Sequence, residues 1–320
     1  MMTVPPITRI PTAGTRLANR LFRLASASAS LLSIGIFTSA ILYLSVQAWP
    51  AFREFGLAPL SGSTWDPEEK AFGLWPAIFG TVFSSIGAVI LASILGIAAA
   101  VFVTQGFLPR KVAILLSNTI DLLAGVPSVI YGFWGLIVFA PLLKPFANWL
   151  GSTFGSTPFF SGSYESLGML PAMLVLTAMV LPTISAVTRE SLLAVPTMYR
   201  DGAIALGATK WEAIIKVILP AARNGIVGGI TLGLGRALGE TMALAMLVGN
   251  KHVASWSLLS PGTTLASLLA LKFPEAEAGR ETAMLMYAAI VLMGVTLSVN
   301  VIGVWLVNAT VRRNAKGGAS

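Results

Sequence analysis

The sequence predicts an all-α polytopic membrane protein with six transmembrane helices. Three observations carry that expectation. Only 11% of the 320 residues are charged, while 55% are hydrophobic and the mean hydropathy is +0.81. An ordinary soluble domain carries about 25% charged residues, so 21 basic and 13 acidic side chains cannot cover a water-soluble body of this size. Six stretches reach the roughly 20 apolar residues that a bilayer core demands. None alternates with the two-residue period of a barrel strand, so the spans are helical.

Composition also removes whole classes of chemistry. The chain has no cysteine, which excludes disulfides, thiol catalysis and iron–sulfur ligation. Its single histidine, His252, argues against zinc sites and histidine-based triads and reads as an incidental residue at the membrane interface. The formal charge of +8 reports membrane topology and calls for no nucleic-acid partner.

Residues 1–30 read as a cytoplasmic tail, with a Pro- and Thr-rich, disordered stretch over 1–15. The first span, 31–48, lies within a segment 31–71 that also holds an outer loop. Arg16, Arg20 and Arg23 before an apolar run resemble a secretory signal, but the run exceeds a typical h-region of about 7–15 residues. Trp49 and Pro50 follow the would-be cleavage site, so the helix reads as retained. The second span covers 76–104. The third, 112–143, is too long for one straight helix and is interrupted at Gly125-Val126-Pro127. Proline removes a helix hydrogen bond and crowds the preceding turn, so a kink or break belongs there. Two readings stand: Ser128 and Tyr131 face a pathway, or the kink serves packing. The fourth, fifth and sixth spans cover 167–187, 225–249 and 282–308, and a tail 309–320 follows.

With the N-terminus inside, fourteen basic residues fall on inner segments and six on outer ones, leaving Arg236 within a span. That asymmetry places both termini in the cytoplasm. Tryptophans at the outer span ends, such as Trp75 and Trp149, suit the lipid interface.

Two ionisable residues sit deep in the fifth span, in Gly233-Leu-Gly-Arg236-Ala-Leu-Gly-Glu240-Thr241. A charge near the bilayer centre costs at least about 2.5–3.5 kcal/mol and needs a partner or water. On one continuous helix, Arg236 and Glu240 at i,i+4 share a face and neutralise each other. The arginine's planar fork of donors suits an oxyanion. A static ion pair joining helices is the competing reading. Gly233, Gly235 and Gly239 would let another helix approach closely.

The longest inner segment, 188–224, divides into three short helical pieces: one ending near Pro196, one before Gly207 and one after Thr209. Gly202 and Gly207 have phosphate-loop spacing, but Ala208 stands where the lysine belongs, so nucleotide binding is rejected. A short amphipathic element here suits a partner's groove, or the lipid surface.

Asp201-Gly202-Ala203-x3-Gly207-x9-Val217-x-Leu219-Pro220 resembles the E-A-A-x3-G-x9-I-x-L-P loop of ABC-importer permeases, with Asp for Glu, Gly for Ala and Val for Ile. Three further motifs, over 121–135, 181–190 and 233–242, resemble phosphate-specific permeases of the PstC type. The resemblance covers 72–308. It implies a type I ABC-importer transmembrane fold, with 188–224 as the cytoplasmic coupling loop. It carries that family's phosphate-translocation charges onto Arg236 and Glu240. Together with Thr241, Ser128 and Tyr131 these form the candidate substrate pathway. Asp201, Gly202, Ala203, Gly207, Leu219 and Pro220 become the candidate contacts to an ATPase. The implied partners are a second permease of the PstA type, a cytoplasmic ATPase dimer of the PstB type, an external phosphate-binding protein of the PstS type, and membrane lipid. The implied chain is no enzyme and needs no cofactor, since ATP is bound and hydrolysed by the partner ATPase. Sulfate, molybdate or phosphonate import and stand-alone secondary anion transport are the alternatives.

Overall fold

The computed structural model describes residues 13–317, and the side chains of 14 and of 16–305. Most of the tail expected to be disordered therefore lies outside the described residues. Helix α1 (Ala13–Phe55) is exposed on every face from Arg16 to Tyr43 and packs only near its end. There Ala48 and Ala51 join a core with Leu74, Leu265, Met284 and Tyr287. A small hairpin follows, β1 (Trp65–Asp66) pairing antiparallel with β2 (Ala71–Phe72), with Trp65 opposite Phe72.

Helices α2 (Trp75–Thr104), α6 (Met169–Leu193) and α9 (Leu219–Leu238) form the centre of the molecule. Their closeness is written in small residues. A Cβ at Gly225, Gly229 or Gly233 would meet Ser191, Val187 or Ile184 of α6. The four-residue spacing lines up one face of α9, along which the two backbones approach. On α2, Gly87 and Gly96 do the same against Met173 and against Leu181 and Ser185 of α6.

The remaining elements are α3 (Arg110–Ala124), α4 (Ser128–Trp134), α5 (Ala140–Phe154), α7 (Thr197–Ala205), α8 (Lys210–Ala213), α10 (Met242–Leu247), α11 (Leu265–Lys272) and α12 (Arg280–Gly317). Two π-helical turns, Gly135–Phe139 and Ile214–Ile218, join α4 to α5 and α8 to α9. Each lies just before a proline, Pro141 or Pro220. Proline has no N–H and its ring crowds the carbonyl four residues back, so the turn widens there.

Six helical runs among the described residues are long and apolar enough to cross a membrane: Arg16–Phe55, Trp75–Thr104, Ser128–Phe154, Met169–Leu193, Lys210–Leu238 and Arg280–Trp305. Three differ clearly from the sequence expectation. The first run starts at Arg16, within the segment expected as a tail, and ends at Phe55 rather than at Ala48. The break at 125–127 is present, but the third span is Ser128–Phe154, after the break, and α3 is a separate helix before it. The fifth span starts at Lys210, not Gly225. A reciprocal capping box, Thr209 with Glu212, nucleates the helix there. It also ends early, at Leu238, and α10 begins only at Met242.

Candidate functional site

Two interrupted helices meet in the apolar bundle. The first interruption lies between α3 and α4. Pro109 and Pro127 precede the two helices, and the Tyr131 hydroxyl donates to the Leu123 carbonyl at 2.9 Å, tying the two sides of the break together. The second lies between α9 and α10, at Gly239-Glu240-Thr241. The two halves that follow the breaks pack on each other: a Cβ at Gly132 would stand 3.0 Å from the Ala243 Cα. Broken helices are tolerated at membrane depth where protein or a water-filled cavity covers the loose backbone, and such breaks commonly frame transport sites.

Arg236 lies in the last turn of α9, directly before the second break. Its Nη1 donates to Thr183 Oγ1 of α6 at 3.2 Å. Two of the three sequence motifs thus meet at one guanidinium, and the third reaches the same break through Gly132, whose Cβ would stand 3.4 Å from the Met242 carbonyl oxygen. Thr183 is the residue that sequence reasoning missed. The available signal was a hydroxyl directly after Pro182 in an otherwise apolar helix.

The expected pairing of Arg236 with Glu240 is corrected. Among the described residues no ion pair joins them, because the helix that would align them ends at Leu238. Glu240 Oε1 instead accepts the Ala243 N–H at 3.3 Å, satisfying an orphan donor at the start of α10. Thr241 turns away as well. It lines a cavity of about 420 Å³ with Leu44, Ala266, Leu269, Phe273 and Leu285. Ser128, half-buried, is the first residue of α4. Of the five pathway residues, Tyr131 ties the first break together, Arg236 ends the helix before the second, Glu240 stands just past it, and Thr241 faces elsewhere.

A second arginine on α6 has a different environment. Arg189 donates to Asp121 Oδ2 at 3.2 Å and to Ser117, both of α3, and Glu190 Oε1 is 3.9 Å away. Asp121, which falls inside the stretch 112–143, is exposed at this ion pair.

The motif-bearing loop is the α6–α9 connection. Helix α7 buries none of its residues, and Met198, Tyr199 and Leu206 are exposed, Leu206 at 91%. Asp201 pairs only with Arg200, at 3.4 Å, and a Cβ on Gly202 would meet nothing. Helix α7 ends as the Ala208 N–H reaches the Ala203 carbonyl at 3.0 Å and Gly207 adopts φ +92°. That left-handed backbone suits glycine and strains any other residue. Leu219 joins a core with Ala100, Val101, Leu192, Ile214 and Ile218, which locks the ends of α2 and α6 to the second π-helical turn and the start of α9. Pro220 is exposed in the first turn of α9. Lys210 adds a tie, donating to the Gly106 carbonyl at 2.8 Å and lying 4.4 Å over the Phe107 ring.

At the opposite end, His252 holds the hairpin to the α10–α11 loop through Nε2 and the Gly73 carbonyl, 2.8 Å apart. Burial lowers its pKa, with the Gly73 contact opposing. Among the described residues no three His, Asp or Glu side chains gather into a metal site.

A family model described as "binding-protein-dependent transport system inner membrane component" matches residues 92–316. The chain is 34% identical to a phosphate transport system permease protein PstC of Mesorhizobium japonicum, covering 95% of this chain and 93% of that one. It is 38% identical to the PstC protein of Xylella fastidiosa (strain Temecula1), covering 89% of each. Among solved structures, a bacterial alginate ABC transporter in complex with an alginate-pentasaccharide-bound periplasmic protein superposes with TM-score 0.59 at 16% identity. That match covers 94% of this chain and 99% of that one, and it bears on the fold alone.

Proposed function

The chain belongs to the family of binding-protein-dependent transport system inner membrane components, with the type I ABC-importer transmembrane fold, and on that premise we propose that it is the permease for inorganic phosphate in an ATP-driven importer. It is a multi-pass inner-membrane protein. The observation that carries the proposal is Arg236. It is a permanent cation at the end of a membrane-spanning helix, bound to a neutral hydroxyl and, among the described residues, to no carboxylate. Such a charge is expensive in a bilayer and marks a site where an anion completes it. The similarity to PstC proteins supplies the identity of that anion.

The rest of the reading follows from this placement. Both termini are cytoplasmic, which puts α7 on the side where ATP is available. The exposed Asp201–Gly207 segment docks into a cytoplasmic ATPase dimer of the PstB type, which binds and hydrolyses the ATP. This chain needs no cofactor of its own. A push on α7 is transmitted through the shared core under it to α2, α6 and α9, the helices that hold Arg236. A second permease of the PstA type completes the pathway, and a PstS-type binding protein delivers phosphate at the hairpin end. The cycle requires that the anion and ATP favour different conformations, since only differential affinity moves such an equilibrium.

The deciding experiment is uptake of radiolabelled phosphate by the four-component complex in proteoliposomes, with sulfate as competitor. ATP-dependent uptake that survives excess sulfate is the expected result. Displacement by sulfate would transfer the chain to another oxyanion. Uptake by the chain alone, with no ATPase present, would make it a secondary transporter.

A further inference from the structure

Arginine alone does not distinguish tetrahedral oxyanions, because it offers only donors and every such anion offers acceptors. Near neutral pH phosphate differs from sulfate in keeping at least one hydroxyl. A pathway that favours phosphate therefore needs a hydrogen-bond acceptor for that hydroxyl near the guanidinium.

Thr183 Oγ1 takes the Arg236 N–H, Glu240 Oε1 takes the Ala243 N–H, and the Leu123 carbonyl takes the Tyr131 hydroxyl, each with acceptor capacity to spare. One buried acceptor on a neighbouring helix takes no hydrogen bond at all. Asn300 lies in the apolar span Arg280–Trp305 of α12, and its Oδ1 is buried without a hydrogen-bond partner. It lies against Gly235, the residue directly before Arg236. A Cβ at Gly235 would stand 3.8 Å from the Asn300 Nδ2 and 3.9 Å from its Oδ1. The glycine leaves the carboxamide its space, one residue along the helix from the arginine. A buried carbonyl oxygen with no donor is a free-energy penalty that a native structure retains for a reason.

Resting on the phosphate reading above, we infer that Asn300 is a substrate-contacting residue whose carboxamide oxygen accepts the hydrogen bond of a phosphate hydroxyl held at Arg236. The arginine neutralises the anion and the asparagine checks that it carries a proton. Sulfate, lacking that proton, presents lone pairs to the Asn300 oxygen. Sites built to bond a substrate hydroxyl reject analogues without one far more strongly than apolar pockets do.

The test uses the assembled importer in proteoliposomes with Asn300→Leu, Asn300→Ser and Arg236→Ala side by side. Asn300→Leu should lower the maximal rate of phosphate uptake about tenfold, the size of one lost hydrogen bond. KM, set by the binding protein, should hold. Melting of the complex should not weaken, since leucine suits the apolar span. Asn300→Ser, which keeps an acceptor, should return the rate to within about threefold of the native complex. An Asn300→Leu importer as fast as the native one overturns the inference. So does an equal loss in both Asn300 variants accompanied by a lower melting temperature, the mark of a packing role. If Arg236→Ala abolishes uptake while Asn300→Leu changes nothing, the inference falls and the phosphate permease stands. If the native complex imports no phosphate, both fall.

Discussion

Two arginines near the α6 helix show how the same side chain is put to opposite uses. Arg189 belongs to a clasp: Asp121 and Ser117 of α3 receive its guanidinium, and Glu190 stands close by. Arg236 reaches the same helix from α9 and finds a threonine hydroxyl, while Glu240, four residues on in the sequence, is turned to a backbone amide. The first cation is neutralised within the chain, at an exposed ion pair. The second, carried by an apolar helix, forms no ion pair among the described residues, and the proposed function gives its charge to the transported anion. An ion pair that is already complete has little to offer an incoming anion. An arginine whose protein partners are neutral holds the anion by direct, fork-shaped donation.

The sharpest way to break that contrast is to remove the second cation. Arg236→Ala should lower phosphate uptake by roughly a hundredfold, as truncating one side of a desolvated charged contact does. The complex should assemble and melt no lower, because an apolar replacement relieves an insertion cost of about 2.5–3.5 kcal/mol. Radiolabelled uptake and a melting curve on the same preparation check both halves. Uptake at the native level would assign Arg236 to helix packing and remove it from the pathway.

The contrast itself was only half legible in the sequence. Span number and the position of Arg236 follow from hydrophobic length, which is a local property. The break at Pro127 is local too. The break at Gly239-Glu240-Thr241 is not, because an apolar run with glycines and no proline gives no stop signal, and i,i+4 geometry was extrapolated across it. The early start at Lys210 carried a readable signature, Thr209 followed three residues later by Glu212. The third span hid in a different way: Lys144 and Pro145 make residues 144–154 look like a loop, yet the helix runs through them. Thr183 left one local sign, the hydroxyl directly after Pro182, but its meeting with Arg236 and the place of Asn300 depend on contacts between helices far apart in the chain.

A milder variant asks whether Glu240 takes part in the second site. Glu240→Gln keeps an oxygen for the Ala243 N–H and leaves the Arg236–Thr183 contact untouched. What it removes is a negative charge at the start of α10, where a carboxylate is worth about 0.3–1 kcal/mol. Uptake should stay within about threefold of native, with a slightly lower melting temperature. A loss as deep as that of Arg236→Ala would show that the carboxylate meets the arginine or the anion in another state of the cycle.

The smallest effect belongs to the clasp. Asp121→Asn removes the main carboxylate facing Arg189 but leaves Ser117 and Glu190 in place. Asp121 is about half exposed, so the pair is screened and holds only about 0.2–1 kcal/mol. Melting of the complex should fall by a few degrees at most, and the gap between variant and native should close as salt rises, because exposed charges beyond a Debye length of roughly 8–10 Å cease to matter. Phosphate uptake should be unchanged, since Arg236 keeps Thr183 of α6 whether or not α3 is clasped to that helix. If Asp121→Asn instead stops uptake without lowering the melting temperature, the clasp is not static. The break at Gly125–Pro127 follows directly after α3, so a pathway that works by rocking α3 would need this ion pair to open and close. The two arginines would then be two stages of one movement.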